Sequence, residues 1–338
     1  MPDRAELDAV RHLDTRFPGA RLRQVPVVRA SELDARADPN GATRVWLALE
    51  ALQVTGSFKV RGALVSLDAN RTRGHVIAAS AGNHGVAVAY AANVLGLSAT
   101  VCVPRTAPRT KRAKIEKYGA DLVVAASDHY EDAADLARAT ASAHGAAFVS
   151  QYDDADVMAG NGASLGFEIV RALGGVPEHV MAPFGGGRLA TGLAWALAVE
   201  GNGASACKVW GVQSAASYAR STSIELRRRT RSPGDAPERA DHRADPREVA
   251  DAARRANEAF AGVIMATESQ IAAAMVHAYR DMGLVVESSG VAALVPVLAG
   301  LPAEVRGGDL VVVLTGRNVD PDRLDAMIRA VGSNLPLW

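Results

Sequence analysis

LQVTGSFKVRGA, residues 52–63, is the stretch around which the chain is organised, and its centre is Lys59. The protein holds only five lysines against thirty-two arginines. Three of the five, Lys111, Lys114 and Lys117, share one arginine-studded helical stretch, where a solvated face accounts for them. Lys59 stands apart. Gly56 and Gly62 bracket it, Ser57 and Phe58 precede it, and Arg61 follows. A guanidinium does not lose its proton usefully, whereas an ammonium does when partly desolvated, so chemistry that needs a nucleophilic amine must keep lysine. The competing reading is a surface lysine at the start of a helix, and the neighbours favour the reactive amine.

The 338 residues are enough for about two domains. Hydrophobic residues make up 49% and charged residues 22%, with a formal net charge of zero. That balance fills a core and points to neither nucleic acid nor an anionic membrane as a partner. No window reaches the roughly 18 uninterrupted apolar residues of a membrane span, and MPDRAELDAVRHLD is charged from its third residue onward, so a soluble, cytoplasmic protein is expected. Cys102 and Cys207 sit in apolar stretches and read as inert core thiols, with no disulfide framework or metal spacing.

From residue 75 strands and helices alternate. HVIAAS, SATVCVP, DLVVAA and AAFVS read as strands, separated by helices at 83–95, 109–118 and 130–144. Helices of this length between strands imply right-handed βαβ units and a parallel sheet. A second series follows: a helix at 162–172, HVMAPF, a helix at 189–199, KVWGVQ, helices near 268–282 and 290–298, and the strand LVVVLT. RVWLAL and an edge strand, VPVV, precede Lys59, whose helix is expected from about Ser57. The fold class is α/β, two doubly wound parallel-sheet modules. Residues 1–67 and 157–338 are assigned to a large domain and 68–156 to a small one. Residues 227–247, RRRTRSPGDAPERADHRADPR, break the pattern and read as a surface insertion, or else a lid or docking site for an acidic ligand.

Three further stretches carry chemistry. ASAGNHG (79–85) lies between a strand and a helix, and its small residues let a carboxylate approach a helix N-terminus beside Asn83 and His84; an ordinary turn capped by Asn83 is the alternative. PFGGGRLATG (183–192) is again strand, glycine turn and helix, where consecutive backbone N–H groups converge on a phosphate. Gly185, Gly187 and Ala190 also satisfy a dinucleotide fingerprint, but the next strand ends in Gln213 and Ser214 rather than the acidic residue that such a site uses on ribose. LTGRNVD (314–320) ends an apolar strand, where Thr315 can offer a neutral hydroxyl to a buried ring nitrogen or simply terminate the strand. A reactive lysine, a cradle for one phosphate, a carboxylate turn and that hydroxyl together fit pyridoxal 5'-phosphate.

TGSFKVRGA with SAGNHG, GGG and TGRN resembles the fold type II pyridoxal-phosphate enzymes, especially the threonine/serine dehydratase and serine racemase branch. LALEALQ, VPRTAPRTKRAKIEKYGAD and LVVESSGVAAL add to the likeness, which runs from about residue 22 to 325. The resemblance implies a tryptophan synthase β-like fold with the cofactor in the cleft between the domains. It implies that Lys59 forms the Schiff base and then moves the substrate's α-proton, that Phe58 lies near the ring and that Asn83 bonds the 3-hydroxyl. Gly185, Gly186, Gly187, Arg188 and Leu189 would hold the phosphate, Thr315 would face the pyridine nitrogen, and Ser80, Asn83 and His84 would bind the substrate carboxylate.

This chain departs from the family pattern in several places. Arg188 replaces a fourth glycine of the phosphate loop. Ala81 replaces the racemases' second acid/base serine. Gln213 and Ala219 replace the acidic pair of relatives that bind a divalent cation, so no metal is expected. The expectation is a β-eliminating ammonia-lyase acting on a threonine- or serine-like amino acid, working as a homodimer and without a regulatory domain. The alternatives are a β-replacement synthase acting through an aminoacrylate, and a catalytically silent binding protein.

Overall fold

The computed structural model describes residues 4–80, 82–150, 154–201, 207–217 and 261–332. The arginine-rich stretch 227–247, Ala81 and Ala219 lie outside them. In chain order the strands are β1 (Val27–Arg29), β2 (Thr43–Ala48), β3 (His75–Ala79), β4 (Ser98–Val103) and β5 (Asp121–Val124), followed by β6 (Ala147–Phe148), β7 (His179–Pro183), β8 (Lys208–Ser214), β9 (Gly262–Ala266) and β10 (Gly308–Val313). They form a six-stranded sheet, β1-β2-β10-β7-β8-β9, and a four-stranded sheet, β5-β4-β3-β6. Every pairing is parallel except β1 with β2.

The helices that matter for the site are α1 (Lys59–Ala69), α2 (Asn83–Leu95), α3 (Arg109–Lys117), α4 (Tyr130–His144), α5 (Ser164–Leu173), α6 (Arg188–Glu200) and α7 (Glu268–Arg280). They cover the sheet faces, which is why Leu310 to Val313 are wholly buried and read as an unbroken apolar run. At the edge, β1 is entered through Pro26, a residue tolerated there because the edge leaves N–H groups unpaired. Cys102 and Cys207 are buried, and burial raises both thiols, Cys207 to about 12.

The structure moves several expected boundaries. The lysine helix starts at Lys59 rather than Ser57, because Ser57 bridges to Gly316 and the Phe58 N–H donates to the Thr315 carbonyl at 3.1 Å. The helix expected over 162–172 begins at Ser164 and follows a π turn, Ala159–Ala163. The 290–298 helix is broken into Ser288–Val291, a 3₁₀ turn and Val295–Ala299, since Pro296 supplies no N–H to continue the ladder. Strand β9 adds an edge that the apolar runs do not mark, and AAFVS shrinks to the two residues of β6.

The topology brings the singled-out stretches together. In the large sheet β2, β10 and β7 are neighbours. Lys59 follows β2, Thr315 follows β10 and the glycine loop follows β7, so all three leave adjacent parallel strands at their C-terminal ends, where such sheets bind ligands. Ser80 and the residues from Gly82 to His84 follow β3 of the small sheet and face them across the seam.

Candidate active site

Lys59 opens α1, whose N-cap residue Phe58 provides no side-chain cap. A remote one substitutes: Asn161, in the π turn, accepts the Gly62 N–H at 2.9 Å. Two residues beyond Lys59, Arg61 is fully buried. Its guanidinium donates to both oxygens of Glu50 (3.0 and 2.8 Å) and to both of Glu168 (2.8 Å each). Burial opposes the charge, yet Glu50 and Glu168 outweigh it and raise the Arg61 pKa; burial also lifts the Glu50 carboxyl above its ordinary range. Glu168 takes the Val25 N–H at 2.7 Å as well. The first turn of α1 is thereby tied to the end of β2, to α5 and to the entry of β1.

The Lys59 side chain is half-buried, and its amine lies 5.1 Å from the centre of the Phe58 ring. Desolvation, with a lesser contribution from the Arg188 charge, lowers its pKa from 10.5 to about 8. A substantial neutral fraction near physiological pH is what a nucleophilic amine requires.

The glycine loop leads into α6 through Gly187, whose φ of +78° is the left-handed conformation that suits glycine. As N-cap it offers no side chain, so the first-turn N–H groups of α6, those of Arg188 and Leu189 among them, point out of the helix without a side-chain cap. A Cβ on Gly185 would meet nothing within 4 Å. An open cradle of outward N–H groups at a helix N-terminus suits a phosphate. The Arg188 guanidinium lies along the loop, donating to the Gly186 carbonyl at 3.2 Å. Thr315 is buried, its N–H bonded to the Gly290 carbonyl at 3.1 Å.

Across the seam, the Ser80 hydroxyl accepts the Gly82 N–H at 3.0 Å and shapes the turn. His84 is buried, with Nε2 3.2 Å from the Val149 carbonyl. Burial, then the Lys59 charge, lowers its pKa to about 3, so the ring is neutral and Nε2 carries the donated hydrogen. Its Nδ1 is a buried lone pair that meets no partner among the described residues. In this tautomer Nδ1 only accepts, which leaves the Ser80 hydroxyl and the backbone N–H groups of the first turn of α2 to donate to a carboxylate.

Asn83 sits in a polar chain that joins the two sheets. Its Nδ2 donates to Glu287 Oε1, and its Oδ1 accepts from Asn318 Nδ2 at 2.8 Å. Lys111 Nζ pairs with Glu287 Oε2 at 2.9 Å, and Lys114 Nζ donates to Asn318 Oδ1. A Cβ on Gly316 would stand 2.2 Å from Glu287 Oε1 and 3.1 Å from Asn83 Nδ2, so only glycine leaves room for this contact. The expectation of a solvated lysine face on α3 is corrected here. Lys117 is exposed, but Lys111 and Lys114 turn inward, and Lys111 Nζ approaches within 3.9 Å of a Cβ placed on Gly82. Their spacing carried a signal: Lys111, Lys114, Ile115 and Tyr118 form an i, i+3, i+4, i+7 stripe whose apolar members face the core.

The pyridoxal-phosphate dependent enzyme family matches residues 20–316. The chain is 33% identical over 288 residues to the L-threonine ammonia-lyase of Thermotoga maritima, covering 84% of this chain and 69% of that protein. A putative threonine dehydratase of Sinorhizobium fredii is 33% identical over 290 residues, covering 82% and 83%. Among solved structures, a T.th. threonine deaminase superposes with a TM-score of 0.77 at 30% identity, covering 94% of this chain and 99% of that one. The lowered Lys59 pKa and the open glycine cradle fit the cofactor of that family, and the match extends over both sheets: the chain belongs to the pyridoxal-phosphate dependent enzymes.

Proposed function

We propose that this enzyme is a β-eliminating ammonia-lyase acting on a threonine- or serine-like amino acid. The observation that carries the reading is the likeness to two threonine-acting relatives at 33% identity over more than four fifths of the chain. Pyridoxal phosphate, when bound, supplies an electron sink for the carbanion at the substrate's α-carbon. The residues of this chain do the rest. Lys59 would be the covalent anchor, and its released Nζ would take the α-proton. Gly185, Gly186, Gly187, Arg188 and Leu189 would hold the phosphate, Phe58 would pack near the ring, and the Thr315 hydroxyl would serve the ring nitrogen. Asn83 would offer an N–H to the 3-oxygen. The substrate carboxylate would bind at the turn that carries Ser80 and Asn83, with Lys111 close by. The β-hydroxyl leaves with a proton as water, hydrolysis consumes one water, and the net products are a 2-oxo acid and ammonia.

The same reading includes the division into residues 1–67 with 157–338 and residues 68–156, a homodimer and a cytoplasmic location. The two separate sheets support the division. Among the described residues no helix is long and apolar enough to cross a membrane. A panel of β-hydroxy and β-substituted amino acids, scored for ammonia and 2-oxo acid with and without an added thiol, tests the activity. Equimolar ammonia and 2-oxo acid from threonine or serine is the expected result. Product formed only when thiol is present would overturn it in favour of β-replacement.

A further inference from the structure

The polar chain across the seam has a direction. Lys114 Nζ has only hydrogens to offer, so Asn318 must turn its oxygen toward it. Asn318 Nδ2 then faces the other way, donating to the Thr55 carbonyl at 3.0 Å and to Asn83 Oδ1 at 2.8 Å, which uses both of its hydrogens. Asn83 therefore presents its Nδ2 on the opposite side, where one hydrogen goes to Glu287 Oε1. Glu287, held at its other oxygen by Lys111 at 2.9 Å, is an acceptor and agrees with that orientation from the far end. One Asn83 N–H is left, and among the described residues no acceptor meets it. Reversing the Asn318 amide would set N–H groups against the Lys114 ammonium and place its oxygen against that of Asn83.

We infer that Lys114 is a positioning residue: together with the Thr55 carbonyl and Glu287, it fixes the direction of the Asn318 and Asn83 amides and so keeps an N–H of Asn83, rather than its carbonyl oxygen, turned toward the bound ligand. The inference rests on the reading that Asn83 faces the cofactor's 3-oxygen. There an N–H favours the anionic oxygen and a carbonyl would disfavour it, so the device sets where the proton of that oxygen resides. Lys114 lies on α3 of the small-sheet region, whereas Asn318 follows β10 of the large sheet, so the control is exerted across the seam.

The test is the visible spectrum of the holoenzyme, as the ratio of its long- to short-wavelength cofactor bands, in a double-mutant cycle. Asn83→Ala should lower the ratio; an unchanged ratio would overturn the reading of Asn83 and the inference with it. Lys114→Met should lower the ratio roughly two- to tenfold, the range set by one ordinary hydrogen bond, while Lys114→Arg, also a donor only, keeps it near the parent value. In the Asn83→Ala background Lys114→Met should change nothing further. If Asn83→Ala shifts the bands but Lys114→Met does not, the inference fails. If the Lys114→Met shift persists without Asn83, Lys114 acts through its field and the inference fails equally. Lys114→Ala takes the place of Lys114→Met should that variant not fold.

Discussion

Two helix N-termini face each other in this enzyme, and they are held in opposite ways. The one carrying Lys59 is fixed from within a single sheet region. Arg61 is clamped between Glu50 and Glu168, all three buried, and Asn161 caps Gly62 from the π turn. The one carrying Asn83 is held by groups from the other side of the seam, Glu287 and Asn318, steadied by Lys111 and Lys114. The first arrangement makes the position of the amine a property of the fold. The second makes the position of the amide depend on how the two sheets meet. Breaking the first should cost stability; breaking the second should change binding and spectrum.

The largest effect is expected at Arg61. Arg61→Met leaves two buried carboxylates opposed without their cation, which costs about 3–5 kcal/mol by analogy with other broken buried pairs. Urea unfolding followed by circular dichroism measures it. A variant as stable as the parent would erase the contrast between the two termini.

Next is the reactivity of the amine. Lys59 with a pKa of about 8 is protonated below that pH and neutral above it. Capture of pyridoxal phosphate by the apoenzyme should therefore accelerate as pH rises, about tenfold per unit below the midpoint, and level off above about 8. Stopped-flow absorbance follows it, and a midpoint near 10.5 would mean that the pocket does not desolvate the amine.

At the seam, Lys111→Met removes the partner of Glu287 beside the carboxylate turn. The expected change is a rise in KM for the amino acid of roughly tenfold, as for loss of a charged hydrogen bond, with a smaller loss of stability than at Arg61, since one ion pair rather than two is broken. Steady-state kinetics beside a melting curve separates the two, and a large drop in stability with an unchanged KM would make Lys111 part of the rigid frame instead. The smallest effect belongs to another contact of α3, Arg109 with Asp322 at 3.2 Å, where both side chains are more than four fifths exposed. Arg109→Ala should leave stability and KM within experimental scatter, as exposed pairs do.

What was legible in the sequence was local. Lys59 between its glycines, the GGG turn, SAGN and Thr315 each announce themselves within a few residues, because a strand end, a glycine turn and a helix start are neighbours in the chain. The alternation of β3 to β8 with helices was likewise visible in apolar runs. The anchors were not. Arg61 meets Glu168 across 107 residues, Lys111 meets Glu287 across 176, and Lys114 meets Asn318 across 204. No local pattern records such partners, although the stripe on α3 indicated which lysines turn inward. His84 looked like a carboxylate ligand because of its place in the turn; that its hydrogen goes to Val149 follows only from how α2 packs on the small sheet. Strand β9 leaves little mark in the sequence because GVIMA is a half-exposed edge whose alternation spans only five residues.

We propose Lys59 as the anchor of the cofactor. Its most direct test is to reduce the holoenzyme with borohydride, digest it and weigh the peptides. The visible band is expected to disappear, with the pyridoxyl mass on the peptide containing Lys59. Pyridoxyl on another lysine, or a protein that takes up no pyridoxal phosphate at all, would contradict it.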